Sequence, residues 1–244
     1  MHRGTHKRSI RYVLAAAATV FVLLTGAWYG IKYYFTHVDP IAAKVRQDVM
    51  QRISLRHGHF LTYSQIPATY RKAVVSTEDR TFYSNIGIDP VAIIRASLVD
   101  LESGKFVQGG STITQQLVHN TVLRHTKKSI PWKMVEIIDA IGLYDTMSKD
   151  EILTLYANDI YFGNGAYGIY QAAHTYFGRV PARLNQGELT MLAGIPNSPT
   201  LFDPFHSLTL AKKRQNVVLN SMVATGVIST HKAKEIARQP IALV

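Results

Sequence analysis

Two neighbouring carboxylates follow an apolar run in this chain. In STEDRTF (residues 76–82), Glu78 and Asp79 come shortly after the apolar residues of KAVVS. A carboxylate against an apolar wall has its charged form disfavoured, which suits a general base. Because adjacent residues on a helix point in different directions, we expect at most one of the two to face a substrate. The alternative is that Glu78 is a surface carboxylate that pairs with Arg80.

A second stretch, GGSTITQQL (residues 109–117), predicts the start of a helix. Thr112 and Gln115 have the spacing of a capping box, so we expect a helix to begin at Ile113. A helix start offers unpaired backbone N–H groups and a partial positive charge, which suit a phosphate group. The alternative is a flexible loop with an ordinary cap. The stretch is not a P-loop, because no lysine follows the glycines.

A third stretch, PWKMVEIIDA (residues 131–140), places Lys133 and Glu136 three residues apart, on one face of a predicted helix. Taken alone, this spacing is typical of a solvated ion pair. Further along, residues 155–178 are rich in glycine and aromatic residues, and Gly163, Gly165 and Gly168 predict a tight turn between two helices.

The elements that position these side chains are predicted to be helices. Apolar residues at helical spacing predict a helix over Pro67–Thr77, with Tyr70 and Val74 on its inner face. Asp89 and Ser148 have the pattern of N-caps. Further helices are predicted over residues 187–194, 207–225 and 229–238. Since regular alternating strands are scarce, the body is predicted to be one mainly α-helical domain.

A long apolar segment precedes this domain. Tyr12 to Ile31 contains twenty residues without a charge, enough to span the roughly 30 Å hydrocarbon core of a bilayer. Basic residues before it predict a cytoplasmic N-terminus, and aromatic residues follow it as in an interfacial belt. A cleaved signal peptide is the alternative, but the bulky aromatic end favours a retained anchor. The predicted organisation is a basic cytoplasmic tail (1–11), a transmembrane anchor (12–35), a connector with some helix around Pro40–Arg52 (36–62) and the catalytic-type domain (63–244).

Composition limits the class of partner. The chain has 244 residues, 47% hydrophobic and 18% charged, with a net charge of +11, so it can form a core and favours anionic partners. Because the domain is expected outside the cytoplasm, lipid headgroups and lipid-linked phosphates are favoured over nucleic acid. The chain has no cysteine, and its ten histidines are scattered without the spacing of a zinc site.

These stretches together resemble one known family. EDRTFYSNIGID, GGSTITQQL, WKMVE and ILTLYANDIYFGNGAYGIYQAAHTYFG stand in the order and spacing of the biosynthetic peptidoglycan glycosyltransferases, over roughly residues 66–228. The resemblance implies a lysozyme-like helical domain with a small membrane-associated lobe. It also implies polymerisation of lipid II, the lipid-linked disaccharide-pentapeptide, into β-1,4 glycan strands, with release of undecaprenyl diphosphate.

The resemblance assigns roles by position. Glu78 is expected to be the general base and Glu136 a second catalytic glutamate near the donor, in an inverting transfer of the sugar. The remaining residues are expected to line the substrate cleft: Asp79, Gly109, Gly110, Ser111, Thr112, Gln115, Gln116, His119, Asn120, Lys127 and Lys133. No organic cofactor and no protein-bound metal site are implied, although a weakly held Mg²⁺ or Mn²⁺ near the diphosphate fits the family.

The sequence also departs from the family pattern. A histidine, a lysine, an arginine, a second lysine and a glutamate of the family are replaced, respectively, by Asn85, His119, Trp132, Val135 and Tyr144. Part of the phosphate-binding charge is therefore absent, although basic residues at 124, 127 and 128 could compensate. Three hypotheses follow: an active glycosyltransferase, a non-catalytic relative that binds precursor or glycan or scaffolds a wall-building complex, and, least favoured, a lytic enzyme.

The resemblance and the anchor also predict location and partners. The protein is expected in the bacterial cytoplasmic membrane, with a single pass, a cytoplasmic N-terminus and the domain on the outer side. Its expected partners are lipid II, the growing glycan strand and membrane lipids, with other cell-wall synthesis proteins as a further class and no nucleic acid.

Overall fold

The computed structural model describes residues 3–95, 110–124, 126 and 129–244 of the chain. Two predicted site residues, Gly109 and Lys127, lie outside the described residues. Residues 96–108, which follow the N-cap predicted at Asp89, also lie outside them.

In the described residues the chain is mainly helical, with a single antiparallel bridge between Tyr161 and Tyr167 and no strand. The mainly α prediction is thus confirmed. The helices are α1 Arg3–Tyr33, α2 Ile41–Leu55, α3 Ala68–Glu78, α4 (described over 90–95), α5 Ile113–Asn120, α6 Ile130–Thr146, α7 Lys149–Asp159, α8 Gly168–Phe177, α9 Gln186–Gly194, α10 Leu208–Ala224 and α11 Thr230–Ala237.

Most helix starts are fixed by the side chains that the sequence indicates. Thr112 accepts a hydrogen bond from the backbone of Gln115, whose side chain in turn accepts from the Thr112 amide, so the predicted capping box is confirmed. At Ser148 only half of the box forms. Its hydroxyl accepts from the Glu151 amide, but the Glu151 carboxylate pairs with Arg46 of α2 instead.

Helix α1 carries the apolar segment and continues as one π-helical turn, Tyr34–Val38. Tyr12–Val38 is long and apolar enough to cross a membrane, and its apolar side chains are mostly exposed. Its end is docked on α6: Phe35 is buried, and a Cβ at Gly142 would lie 2.1 Å from the Phe35 ring. Only a glycine allows this approach, so the apolar helix is held against the domain.

Helix α2 differs from the predicted connector. Its residues Ile41, Val45 and Val49 are buried in the main core, and the helix packs against α6 and α7. The segment 36–62 is therefore tied to the domain by apolar burial rather than forming a linker in front of it. The sequence conceals this because the buried side is short: three apolar residues are followed by the buried Arg52.

The centre of the core is formed by α3, α9 and α10, which pack against one another. The inner face predicted for α3 is confirmed, since Tyr70 and Val74 are buried. Every residue of α9 after Gln186 is buried, as the sequence predicts for residues 187–194. These three helices form the support from which Glu78 projects at the end of α3.

The glycine-rich turn before α8 is also confirmed. Gly163, Gly165 and Gly168 all have positive φ angles, of 87°, 73° and 76°. At Gly168 an added Cβ would lie 2.4 Å from the backbone oxygen of Asn158, so no other residue fits. The turn returns the chain on itself and brings the Tyr161 and Tyr167 rings together, with centroids 4.6 Å apart.

Candidate active site

Glu78 is held by partners from two other helices. It is the last residue of α3, and its side chain is 15% exposed. One carboxylate oxygen accepts a hydrogen bond from the Gln116 side chain of α5 at 3.1 Å, and the other lies 3.3 Å from a guanidinium nitrogen of Arg214 on α10. The alternative of a surface pair with Arg80 is therefore replaced by a partly buried pair with Arg214.

A buried tyrosine orients the glutamine that holds Glu78. The Tyr156 hydroxyl donates to the Gln116 side-chain oxygen at 3.2 Å, so the amide nitrogen of Gln116 is turned toward Glu78. Burial, and secondarily the Glu78 charge, raises the pKa of Tyr156 well above its usual value. Tyr156 is thus a neutral donor at every working pH, and Gln116 keeps one orientation.

The Asp79 carboxylate is buried and hydrogen-bonded within the protein. Its carboxylate accepts from the Ile113 amide at 3.1 Å and from the Asn85 side chain at 2.9 Å. Burial raises the pKa of Asp79, and these hydrogen bonds oppose that shift. Asp79 therefore fixes the start of α5, which agrees with the expectation that only one of the two carboxylates faces a substrate. Its contact with substrate stays a prediction.

Asn85, which replaces a histidine of the family, completes this support. Its side-chain nitrogen binds Asp79, while its side-chain oxygen accepts from the Gly87 amide at 3.0 Å and from the Lys149 ammonium at 2.7 Å. Burial lowers the pKa of Lys149 to about 8, and the nearby Asp79 charge opposes the shift. The asparagine thus links Asp79, which follows α3 and binds the start of α5, to Lys149, the first residue of α7.

Glu136 is a buried carboxylate, not half of a solvated ion pair. Its side chain is 4% exposed and accepts from the Gln115 side chain at 3.1 Å and from the Lys133 ammonium. Lys133 also donates to the Ser111 hydroxyl at 3.1 Å. The two glutamines of α5 therefore hold one glutamate each, Gln116 holding Glu78 and Gln115 holding Glu136.

His119 lies at the other end of α5, beside Glu136. Its ring nitrogen Nδ1 is 3.7 Å from a Glu136 oxygen, and its ring meets that of Trp132 edge-on with centroids 5.1 Å apart. The Trp132 indole donates to the Thr126 hydroxyl at 2.6 Å. Two positions at which the family has cations thus hold an aromatic and a histidine in contact.

Two adjoining cavities give these residues access to a ligand. The base cavity, of about 220 Å³, is lined by Glu78 and by Arg80 and Arg95, among others. The lysine cavity, of about 440 Å³, contains Lys133 and Glu136. Ser111 lines both. One cleft therefore runs along α5, with a glutamate at each of its two parts.

Most predicted site residues are brought to this cleft. The lining of the two cavities includes Glu78, Asp79, Gly110, Ser111, Thr112, Gln115, Gln116, His119, Asn120, Lys133 and Glu136. The side chain of Thr112 is nevertheless internal, since its hydroxyl donates to the Gly87 carbonyl at 2.6 Å. The role of each residue toward a ligand stays a prediction.

The structure adds residues that the prediction does not place in the site. Arg214 and Tyr156 act on Glu78 and its glutamine, and Arg80 and Arg95 add positive charge to the base cavity. Their charge suits a diphosphate substrate. In the described part of the chain, no three acidic, histidine or cysteine side chains are grouped to hold a metal ion.

Comparison with known proteins decides the family. A sequence model of the transglycosylase family matches residues 46–223, which is most of the chain. The chain belongs to the transglycosylase family. The resemblance drawn from the motifs is thus confirmed, and family membership supports a general role as a glycosyltransferase in peptidoglycan synthesis. The match begins inside α2, which agrees with the packing of that helix on the domain.

Several relatives are longer proteins. The chain is 39% identical to penicillin-binding protein 1A of Aquifex aeolicus over 78% of its length, 38% identical to that of Escherichia coli over 90%, and 41% identical to penicillin-binding protein 1A/1B of Bacillus subtilis over 73%. It covers 26%, 27% and 20% of those relatives, respectively. A crystal structure of penicillin-binding protein 1A from Haemophilus influenzae superposes with a TM-score of 0.47 at 22% identity, over 76% of this chain and 18% of that one.

Proposed function

We propose that this protein polymerises lipid II into β-1,4 glycan strands and releases undecaprenyl diphosphate. The observation that carries the proposal is the pair of glutamates in one cleft, each oriented by its own glutamine of α5. A single ordered helix thus sets the distance between a base and the lysine-bearing part of the cleft. Such fixed positioning is what a transfer between two large substrates requires.

In this proposal Glu78 is the general base. Its carboxylate takes the proton from the 4-hydroxyl of the acceptor sugar while that oxygen attacks the anomeric carbon of the donor. A new C–O bond forms as the bond to the diphosphate breaks, and the electron pair leaves with the diphosphate. Attack from the face opposite the leaving group inverts an α-linked diphosphate to a β-linked sugar. Gln116 and Arg214 hold the ionised carboxylate in place for this step.

The leaving group is the part of the substrate that Lys133 would stabilise. Diphosphate leaves as an anion, so it needs a cation and hydrogen-bond donors rather than a protonating acid. Lys133 is 39% exposed to the cleft and is oriented by Glu136 and Ser111. Glu136 is too buried to receive a sugar hydroxyl directly. Its role in this proposal is to fix the position of Lys133.

The docked anchor supports a membrane-borne substrate. Helix α6 carries Lys133 and also contacts the end of the apolar helix, through Phe35 and through a 3.5 Å contact between Lys32 and Asp145. The same helix exposes apolar side chains at Met134, Val135 and Ile138. In the proposed orientation the N-terminus is cytoplasmic and the domain is outside, so α6 holds the diphosphate part of the cleft beside the lipid surface.

One observation favours a second function, that of a non-catalytic relative that binds precursor or glycan. The Lys133 charge is shared with Glu136, and the neighbouring cation positions hold Trp132 and His119. The diphosphate would then be bound without enough stabilisation of its developing charge. The double change His119→Lys and Trp132→Arg tests this: a parent chain that binds precursor without polymerising it, and a double variant that does polymerise it, would show that the missing charge makes the parent non-catalytic.

The direct test of the proposal uses the full chain in detergent with purified lipid II. Polymer is separated from monomer, and released undecaprenyl diphosphate is measured alongside. Active protein is expected to give both products in matching amounts. Precursor binding without either product would contradict the catalytic proposal and support the non-catalytic one.

A further inference from the structure

A separate cavity of about 270 Å³ lies on the outer face of α3. It is here named the basic pocket, and its lining includes Arg71, Lys72 and Val75 of α3 together with Tyr63, Tyr83 and Val227. It shares no residue with the base cavity or the lysine cavity. The opposite face of α3 carries the buried Tyr70 and Val74, and the helix ends at Glu78. One helix therefore contributes to the cleft and to a second, independent surface.

The floor of the basic pocket is apolar. Val75 and Val227 are partly buried and pack against the main core. Ser76, beside them, is 1% exposed, and its hydroxyl already accepts a hydrogen bond from the Thr225 hydroxyl at 2.9 Å. Because this polar group is satisfied internally, the floor favours an apolar group over water. At about 270 Å³ the pocket is smaller than the roughly 300–1,000 Å³ that enclose a whole small molecule, so it suits one side chain of a larger ligand.

Two cations stand at the rim of the basic pocket. The Arg71 Nε donates to the Ile66 carbonyl at 3.1 Å, and its guanidinium lies 3.8 Å from the centroid of the Tyr63 ring. Lys72 is exposed beside it. In the part of the chain that the structure describes, neither cation forms an ion pair with a carboxylate. Because Nε and the ring contact fix the guanidinium, its terminal nitrogens are held ready to pair with the carboxylate of a ligand.

Two tyrosine hydroxyls add a hydrogen-bond acceptor to the rim. The Tyr83 hydroxyl donates to the Asp150 carboxylate at 3.3 Å, since an ionised carboxylate only accepts. Burial, and secondarily Tyr63 and Asp150, raises the pKa of Tyr83, so this hydroxyl keeps its proton. The Tyr63 hydroxyl, 3.1 Å from that of Tyr83, therefore donates to it. Its own oxygen is left as an acceptor, which suits the N–H group of a peptide backbone.

From these features we infer that the basic pocket docks an acidic peptide segment of a partner protein. An apolar side chain of the peptide occupies the floor, a neighbouring carboxylate pairs with Arg71 and Lys72, and a backbone N–H donates to Tyr63. The net charge of +11 attracts such a partner at longer range. A lipid acyl chain would offer no N–H group to Tyr63, so a peptide fits the rim better. Because the pocket and the cleft share no residue, partner and substrate can be bound together.

The test selects peptides that bind the full chain in detergent. The probe is a displayed library of random nonapeptides, and the variants are Arg71→Gln and Ala68→Phe. Ala68 lines the pocket at an exposed position at the start of α3, so a ring there fills the pocket with little effect on folding. The selected peptides are expected to combine an acidic with an apolar residue. Synthesised singly, they should bind each variant about tenfold more weakly than the parent, the effect of losing one charged hydrogen bond or one buried side chain.

The matched control is Arg56→Gln. Arg56 also lies above a tyrosine ring, 3.5 Å from the centroid of Tyr167, but the cavity that it lines shares no residue with the basic pocket. Both arginine variants lose one charge and one ring contact, so general attraction of acidic peptides falls equally in the two. Arg56→Gln is expected to bind the selected peptides as the parent does. A comparison of thermal unfolding between the two variants separates a folding defect from lost binding.

Two results would overturn the inference: a library that yields no peptide bound more tightly by the parent than by Ala68→Phe, or selected peptides that Arg71→Gln binds as tightly as Arg56→Gln does. Short-chain phosphatidylglycerol is a second probe. If it binds the parent but not Arg71→Gln while no peptide is selected, the pocket belongs to a lipid headgroup and the inference is wrong. If instead Ala68→Phe abolishes self-association of the chain and no peptide is selected, the occupant is a second copy. None of these measurements involves turnover, so they are independent of the proposed function.

Discussion

Replacing Asn85 by alanine tests how much its hydrogen bonds, which connect Asp79, Gly87 and Lys149, stabilise the fold around Glu78. The change removes a donor to the buried Asp79 carboxylate and acceptors for the Gly87 amide and the Lys149 ammonium. Hydrogen bonds to charged groups contribute about 1.5–3 kcal/mol each, and the one to a neutral amide about 1 kcal/mol. Because water can enter at the edge of this site and replace part of these hydrogen bonds, we expect the free energy of unfolding to fall by about 3 kcal/mol rather than by the sum of the three contributions.

Thermal unfolding of the full chain in detergent measures this loss. For a domain of this size, 1 kcal/mol corresponds to about 2–4 °C in the unfolding midpoint, so Asn85→Ala should lower it by roughly 6–12 °C. Ser84→Ala is the control, because its exposed hydroxyl makes one hydrogen bond, to the Thr81 carbonyl. That variant should unfold within about 2 °C of the parent. Equal midpoints for the two variants would refute the bridging role of Asn85.

Three further predictions follow from single contacts. Burial lowers the pKa of Lys149 to about 8, from an ordinary value of 10.5 in the unfolded chain. Between these two pH values the folded protein loses the cost of burying the charged form, so the unfolding free energy of the parent should rise with pH relative to that of Lys149→Met. A constant difference between the two proteins would contradict this. Gly168→Ala, whose Cβ would lie 2.4 Å from a backbone oxygen, should lower the unfolding midpoint more than Gly165→Ala, where φ is similar but the space is open. Equal midpoints would show that the loss of stability comes from the positive φ alone and not from the steric contact. Gly142→Ala should release the apolar helix from α6 and expose residues 36–40 to protease, whereas Gly30→Ala, with nothing within 4 Å, should not; equal cleavage would refute the docking.

Local signals in the sequence predict much of the cleft. The capping box at Thr112 and Gln115 places the start of α5, and the i,i+3 spacing places Lys133 beside Glu136. These are short-range effects, since caps and neighbouring turns of a helix depend on residues three or four positions apart. The glycine turn is equally local, because only glycine fits the close approach at residue 168.

Long-range contacts account for what the sequence conceals. Arg214 reaches Glu78 across 136 positions in the chain, and Tyr156 reaches Gln116 across 40. No periodicity or spacing reports such pairs, because they are fixed by the packing of α3, α7 and α10. For the same reason α2 looks like a connector in the sequence, because its apolar side is buried only by the packing of α6 and α7 against it.

Asn85 shows how a substitution is accommodated. In the sequence it marks the loss of a family histidine, and the consequence for the site is open. In the structure the same side chain donates to Asp79 and accepts from Lys149, so a small amide links two charged groups of opposite sign. The departures at His119 and Trp132 are different, because they replace charge in the cleft by a mutual ring contact.

The central claim, that Glu78 is the base of a glycan polymerase, is tested most directly by the rate at which lipid II is consumed. Glu78→Gln keeps the size of the side chain and removes the base, so polymerisation should fall by about 10²–10⁴-fold while the affinity for lipid II stays near that of the parent. Glu235→Gln, the same change at an exposed ion pair on α11, should polymerise at the parental rate. Equal rates for the two variants would contradict the account.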